Sequence, residues 1–255
     1  MKVKTLACLC ALAAIPAFGT EAVTSANTFG VLKVECASQK VIIATPWVKC
    51  GDATSPVKVT DLVMTSGLET GDAILVYDAA NDRFKSWVIS GGAWSSTPVA
   101  DVAGTVITGD AQSEAIARGQ AFWFVKKTFT AGDTYNLYLY GQDSTAGATS
   151  TVAPGTSGSP AYSLVASPKT TAADLNTVGT FGFTPNAADE IRVPRYNLPD
   201  LVYTYKATEL GWGTSTSVQI GETGRYKKVW TKGCTIPAGT GFWYVSKGGS
   251  GTITW

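Results

Sequence analysis

The sequence of 255 residues contains no histidine. This absence excludes the Ser-His-Asp and Cys-His catalytic systems, because both need an imidazole as general base. It also removes the commonest protein ligand of zinc and copper. We therefore expect no bound metal and no cofactor, and we expect that the protein is not an enzyme.

Charge is also scarce, at 15% of residues compared with a typical ~25%. The chain has 20 basic and 19 acidic residues, and loss of Lys2 and Lys4 with a cleaved leader would leave 18 and 19, a net charge of about −1. Such a balance gives no strong field of one sign, so we expect neither nucleic acid nor anionic lipid as a partner. Beyond the leader no apolar run is long enough for a membrane helix, and we expect no membrane span in the mature chain.

The first 19 residues have the pattern of a secretory signal peptide. Lys2 and Lys4 form a positive start, Leu6 to Ile15 is a short uncharged apolar run, and small residues precede Gly19. We expect cleavage after Gly19 and an exported protein that is periplasmic, bound to the cell surface or extracellular.

Three cysteines remain after this leader: Cys36, Cys50 and Cys234. An oxidising compartment permits one disulfide, and the short loop between Cys36 and Cys50 favours that pair. The alternative is that all three are buried as small apolar residues.

A repeated motif divides the chain into two similar halves. The segment "IARGQAFWFVKK" (116–127) returns as "IPAGTGFWYVSK" (236–247), and three further similarities precede the motif in the same order in both halves. They join "VIIATPW" with "YSLVASPK", "GDAILVYD" with "PDLVYTYK", and "GGAWSST" with "LGWGTST". We therefore expect a tandem duplication with copies at 29–143 and 160–255. The segment 144–159 between them is rich in Gly, Ser, Thr and Pro, which predicts a flexible linker.

Each copy reads as many short strands separated by turn residues. In the repeated motif Phe122 and Phe124 alternate with Trp123 and Val125, so both faces of the strand are apolar. This pattern predicts a central strand covered on both sides. We expect an all-β protein of two tandem homologous domains, each an antiparallel β-sandwich or barrel-like fold.

The pairing of a small-residue–Pro strand end with a later G-x-x-F-W-x-V strand resembles a known pattern. The first element stands at Ile42–Pro46 and Leu164–Pro168, and the second at Gly119–Trp123 and Gly239–Trp243. Together they are similar to tandem modules of an uncharacterised paralogous family of exported β-proteins in Verrucomicrobia- and Bacteroidetes-type bacteria. The Asn that this family often carries before the Pro is absent here. The resemblance implies a non-catalytic module of surface or matrix proteins.

Acidic residues of the first copy are the remaining candidates for catalysis, since paired carboxylates could make a glycoside hydrolase. These acids stand next to Gly or Asn, where Asx turns form, and most have no counterpart in the second copy. The residues are Asp72, Asp78, Asp82, Asp101, Asp110 and Glu114. We interpret them as turn residues and rank a hydrolase third among the possible functions.

Aromatic residues are abundant, with eight Trp and ten Tyr. Four tryptophans near predicted turns could stack on sugars if they are exposed. They are Trp87, Trp94, Trp212 and Trp230, with Trp94 and Trp212 at matching places in the two copies. The predicted function is an exported, non-catalytic structural or adhesive protein whose partners are surface or matrix proteins or further copies of itself. The alternative is a carbohydrate-binding module that binds glycans through these tryptophans.

Overall fold

The structure is a computed structural model that describes residues 29–52, 54–78, 83–95, 99–100, 106–107, 115–144, 147–177, 180–195, 198–220 and 225–255. Nearly all of its regular structure consists of antiparallel β-strands, which confirms the predicted all-β fold. The expected leader, residues 1–19, lies outside the described residues. Within the described part of the chain, no helix has the length and apolar character needed to cross a membrane.

The strands form two groups. The first domain contains β1 (Phe29–Cys36), β2 (Lys40–Ala44), β3 (Val57–Lys58), β4 (Ala73–Asp78), β5 (Arg83–Ser90), β6 (Ala93–Ser95), β7 (Val99–Ala100), β8 (Val106–Ile107), β9 (Ala115–Ile116), β10 (Ala121–Val125) and β11 (Tyr135–Gln142). The second contains β12 (Thr149–Val152), β13 (Ala161–Ala166), β14 (Ala173–Asp174), β15 (Thr180–Phe181), β16 (Glu190–Arg195), β17 (Leu198–Lys206), β18 (Gly211–Ile220), β19 (Arg225–Lys232), β20 (Thr235–Ile236), β21 (Gly241–Ser246) and β22 (Gly251–Thr254). A one-turn helix, α1 (Val59–Leu62), and a 3₁₀ turn at Ala207–Glu209 accompany them.

The main sheets of the two domains have the same strand order. It is β2-β10-β4-β5-β6 in the first domain and β13-β21-β16-β17-β18 in the second, where β19 is added at the edge. The register agrees as well, because Trp123 pairs with Ile42 and Leu75. At the same place in the second sheet, Trp243 pairs with Leu164 and Arg192. Each tryptophan therefore lies on a central strand at an equivalent position.

This register corrects one of the sequence similarities. The segment "GDAILVYD" contains β4, and its structural counterpart is β16 rather than β17, which contains "LVYTYK". Strands β16 and β17 both alternate apolar and polar residues, so their sequences did not distinguish them. The match of Trp94 with Trp212 agrees with the structure, because Trp94 pairs with Ile89 and Trp212 pairs with Tyr205 on corresponding strands.

Each domain has its own hydrophobic core beneath its main sheet. In the first domain Phe122 and Phe124 of β10 are fully buried against residues of the β1–β11 pair, including Leu137. In the second, Phe242 and Tyr244 of β21 occupy the corresponding places. The alternation along β10 and β21 therefore directs every second side chain into a core, as a period of two requires.

The opposite faces of β10 and β21 pack against each other. Trp123 and Trp243 belong to one cluster between the domains, and their ring centroids lie 6.4 Å apart. Two backbone hydrogen bonds repeat the same arrangement on both sides, since the Ala44 N–H donates to the Gly239 carbonyl at 2.8 Å and the Ala166 N–H donates to the Gly119 carbonyl at 3.2 Å. The domains thus meet through the same surface on each copy, as in an isologous dimer.

The segment expected to be a flexible linker, 144–159, contains strand β12. Its residues Thr149–Val152 pair with β22, and Ser150 and Val152 are buried. The second domain therefore begins before residue 160, and the prediction of a structureless linker is wrong over these four residues. Small side chains at 144–159 had suggested too little burial, but pairing with β22 supplies backbone partners and buries Val152 in the second core.

The predicted Cys36–Cys50 disulfide is wrong in this structure. Cys36 points into the core of the first domain with 2% exposure, whereas Cys50 is exposed in a turn. Cys234 is buried in the second core. None of these three cysteines, all of which lie in the described part of the chain, is in a disulfide.

Candidate functional site

Two of the four candidate tryptophans are core residues. Trp87 is fully buried in the first domain, and Trp212 is 2% exposed in the second. Trp212 lies edge-on to Tyr205 and Tyr244, with ring centroids 5.4 and 5.6 Å away. The prediction that these rings bind a ligand is wrong, because a stacking ligand needs an exposed ring face.

Trp94 is half-buried and packs against the first core. Its Nε1–H donates to the carbonyl of Val63 at 3.3 Å. Val63 directly follows α1 and forms a β-bridge with Leu139, so this bond fixes the indole against that part of the first domain. Although Trp94 and Trp212 are equivalent in the fold, they do not form a common exposed surface. Trp94 therefore has mainly a packing role.

Trp230 stands on a surface of a different kind, a projecting β-hairpin formed by β18 and β19. Strand β18 pairs with β17 only as far as Gly213, whereas its pairing with β19 continues to Ile220. From Thr214 onward, the two strands thus extend beyond the sheet for roughly 24 Å at ~3.4 Å per residue. We call this two-stranded extension the arm.

Aromatic and basic side chains alternate along one face of the arm. Tyr226, Lys228, Trp230 and Lys232 share that face, because side chains two residues apart in a strand point the same way. Ser215 and Ser217 stand beside them on β18, opposite Trp230 and Lys228 in the register. Tyr226 is 66% exposed, and Lys228 is exposed as well. We call this set of side chains the arm face.

Trp230 anchors the base of the arm face. The ammonium of Lys206 lies 5.1 Å from the centroid of its ring, within the range of a cation–π contact. Gly213 leaves room for the indole, since a Cβ at this position would lie 2.6 Å from the ring. The Nε1 atom is buried without a hydrogen-bond partner, so this N–H group is not accessible to a ligand.

Two lysines at this base are held by the adjoining 3₁₀ turn. Lys206 forms an ion pair with Glu209 at 3.3 Å, and the Lys232 Nζ donates to the Glu209 carbonyl at 3.1 Å. The sequence of the hairpin, 211–232, contains four basic residues and one acidic residue, Glu222. The hairpin therefore carries an excess of positive charge in a chain whose net charge is only +1.

A separate ion network lies on the same sheet between the arm and the domain interface. Arg192 contacts Glu190 at 2.6 Å, and the Lys247 ammonium also donates to Glu190. Burial raises the pKa of the Glu190 carboxyl, but the hydrogen bonds from Lys247 and Arg192 outweigh it, so the net pKa is lowered. Both cations of this network are therefore engaged with Glu190.

Among the hydrolase candidates, the carboxylate whose side chain lies in the described part of the structure is that of Asp72, and its role is structural. Asp72 is fully buried, and it accepts hydrogen bonds from the backbone of Glu69 and Lys127 and from the Lys126 ammonium at 2.8 Å. Asp189 holds the same place in the second domain and accepts from the backbone of Asn186 and Lys247 and from Tyr244. The side chains of Asp78, Asp82, Asp101, Asp110 and Glu114 lie outside the described residues.

Sequence reasoning selected Trp230 but missed the rest of the arm face. The signal was present in "RYKKVWTK", where aromatic and basic residues alternate with period two. Comparisons with protein-family models, with curated proteins and with solved structures found no match to this chain.

Proposed function

We propose that the protein is an exported, non-catalytic adhesive protein of a bacterial cell surface or matrix, and that its arm holds an acidic polysaccharide. The observation that supports this proposal most strongly is the arm face, where lysines and aromatic rings alternate on a hairpin that projects from the sheet. An isolated two-stranded hairpin is only marginally stable in water, so its length calls for a function other than packing.

The chemistry of the arm face fits a polymer of acidic sugars. Sugar rings have apolar C–H faces that pack on aromatic rings such as Tyr226, while their carboxylate or sulfate groups pair with ammonium groups such as Lys228. The hydroxyls of Ser215 and Ser217 add hydrogen-bonding groups along the same face. A ligand with repeated charge and repeated rings matches this spacing better than a single small anion.

The edge of the arm disfavours assembly of identical copies. Strand β19 ends the six-stranded sheet, and an open edge can pair with a strand of another molecule. Adjacent lysines at 227 and 228 blunt such an edge, because a second copy would bring like charges together. This feature favours adhesion to a different molecule over self-assembly at this strand.

Binding to a panel of polymers tests the proposal. Alginate and dextran sulfate supply carboxylates and sulfates, and uncharged dextran is the matched control for sugar chemistry. We expect binding to the two acidic polymers that weakens as salt rises, and no binding to dextran. Absence of binding to both acidic polymers would overturn the proposal, as would tighter binding to single-stranded polyuridylate.

A further inference from the structure

A groove lies between the two domains, away from the arm. It has a volume of about 460 Å³ and is bordered by β4 and the turn before β10 on one side. Strands β12 and β13 of the second domain form the other side. Its size falls within the ~300–1,000 Å³ of small-molecule sites.

The lining of this groove is uncharged and combines apolar with hydrogen-bonding side chains. Tyr77 and Tyr162 supply aromatic walls, Gln120 supplies an amide, and Thr149 and Thr151 supply exposed hydroxyls. Among the described residues that line it, none carries a charge. Aromatic walls combined with neutral hydrogen-bonding groups suit a ligand that has hydroxyls and an apolar ring face.

The duplication provides an internal comparison. A second groove lies at the equivalent place across the interface, between β1 and β2 of the first domain and Pro194 to Arg195 of the second, and its volume is only about 180 Å³. Tyr162 pairs with Val245 and Lys40 pairs with Val125. Because Val245 and Val125 are equivalent positions, Tyr162 and Lys40 are equivalent too. The first groove therefore has a tyrosine at the position where the second has a lysine.

Both tyrosines of the first groove are supported by a second aromatic ring. Tyr162 is 51% exposed and stands edge-on to Trp243 with ring centroids 6.3 Å apart. Tyr77 packs on Phe84 at 5.3 Å. Supported rings lose little conformational freedom on binding, which is the usual advantage of a preorganised site.

We infer that the first groove binds an uncharged sugar unit, with Tyr162 and Tyr77 as aromatic walls and Gln120 as a hydrogen-bonding group. This site is separate from the arm and does not depend on the acidic polymer proposed there. A protein with both sites would hold a charged polymer along the arm and a neutral sugar between its domains.

The test uses the full exported chain and neutral di- to tetrasaccharides of glucose, galactose, mannose and N-acetylglucosamine, first on an array and then by calorimetry. We expect at least one to bind with a dissociation constant below about 1 mM, the weak end of specific binding. Tyr162→Ala should weaken that binding tenfold or more. Lys40→Ala, the equivalent change in the second groove, should leave it unchanged.

Two further results complete the test. Tyr77→Ala should also weaken the sugar, whereas Lys228→Ala on the arm should not, which separates this site from the arm. Failure of every neutral sugar to bind below about 1 mM would overturn the inference. It would also be overturned if Tyr162→Ala kept full affinity, or if Lys40→Ala lost as much as Tyr162→Ala.

Discussion

Trp123 and Trp243 stand at equivalent positions of the two domains and pack on each other with ring centroids 6.4 Å apart. Each also lies between the two neighbouring strands of its own sheet. The contact therefore couples the centres of both sheets and makes the duplicated domains one packed unit. Ala121 and Gly241 also meet at this interface, since a Cβ on Gly241 would lie 2.7 Å from that of Ala121.

Replacement of both tryptophans should show coupling across the interface. Trp123→Ala and Trp243→Ala should each lower the free energy of unfolding by about 2 kcal/mol, below the 3–5 kcal/mol for fully buried rings. The loss of unfolding free energy in the double variant should differ from the sum of the two single losses by about 0.5–1.5 kcal/mol, the usual coupling of an aromatic pair. Urea unfolding measures all three.

The control for this cycle combines Trp243→Ala with Trp230→Ala. Trp230 lies four strands away, roughly 19 Å at ~4.8 Å per strand, so these two changes should add within about 0.5 kcal/mol. Additivity of the Trp123 and Trp243 changes would show that the two domains do not pack as described.

Gly239 should tolerate a side chain less well than a glycine in open space. Its φ is +71°, and a Cβ would lie 2.5 Å from Val34 of the other domain. Gly239→Ala should therefore cost about 2–4 kcal/mol, from left-handed strain together with overpacking. Gly91 has φ +60° and open space around it, so Gly91→Ala should cost only about 1–2 kcal/mol. Equal losses of stability in the two variants would argue against the interdomain contact.

Replacement of Asp72 should deprive a buried charge of its closest partner, whereas replacement of Asp189 should not. Asp72→Ala leaves the Lys126 ammonium buried without its closest carboxylate, which should cost about 3–5 kcal/mol. Adding Lys126→Met should recover part of that loss, because the unpaired charge is then removed. In Asp189→Ala, whose main side-chain partner is Tyr244, the same Lys126→Met change should give no recovery. Chemical denaturation of the four variants decides between these outcomes.

Thiol reactivity should separate the three cysteines of the chain that lacks residues 1–19. Burial raises the pKa of the Cys36 thiol from 9.0 to about 12, and burial also raises the pKa of Cys234. At pH 8 we expect Ellman's reagent to modify Cys50 in the folded protein and all three cysteines in urea. If no thiol of the folded protein reacted, and thiols became reactive only after reduction, Cys50 would instead be in a disulfide.

The same raised pKa predicts a loss of stability at high pH. Unfolded thiols ionise near 9.0 while the folded Cys36 keeps its proton to about 12, so the stabilisation is complete below pH 9 and is lost as pH rises toward 12. Urea midpoints between pH 8 and 11 should fall, and Cys36→Ala should flatten that fall. An unchanged slope in Cys36→Ala would contradict the assignment.

The strand pattern of the fold could be predicted from sequence because the period of two in "AFWFV" is a local property. The same segment indicated that both faces of the strand are buried, but it did not show that one of these faces packs against the other domain. That depends on complementary shape at Ala121 and Gly241, which lie far apart in the chain. Strand β12 was missed for a related reason, since Thr149–Val152 becomes a strand only through its pairing with β22.

The candidate site was only partly predictable. Trp212 and Trp230 both lie near glycines, yet Trp212 is buried in a core whereas Trp230 is half-buried at the base of the arm. Their orientation depends on which face of the sheet is covered, a property of the whole domain. The interdomain groove was not predictable, because Tyr77 and Tyr162 come from different domains.

Whether the arm face binds an acidic polysaccharide is decided by the affinity for alginate, measured over a range of salt concentrations. Lys228→Ala should weaken binding about tenfold and reduce the slope of log affinity against log salt by about 1, while Tyr226→Ala should weaken binding without changing that slope. Lys33→Ala and Tyr138→Ala, an exposed and directly paired Lys and Tyr of the first domain, are the matched controls and should leave both quantities unchanged. Alginate binding that is equally affected by the control pair, or unaffected by the arm pair, would contradict the account.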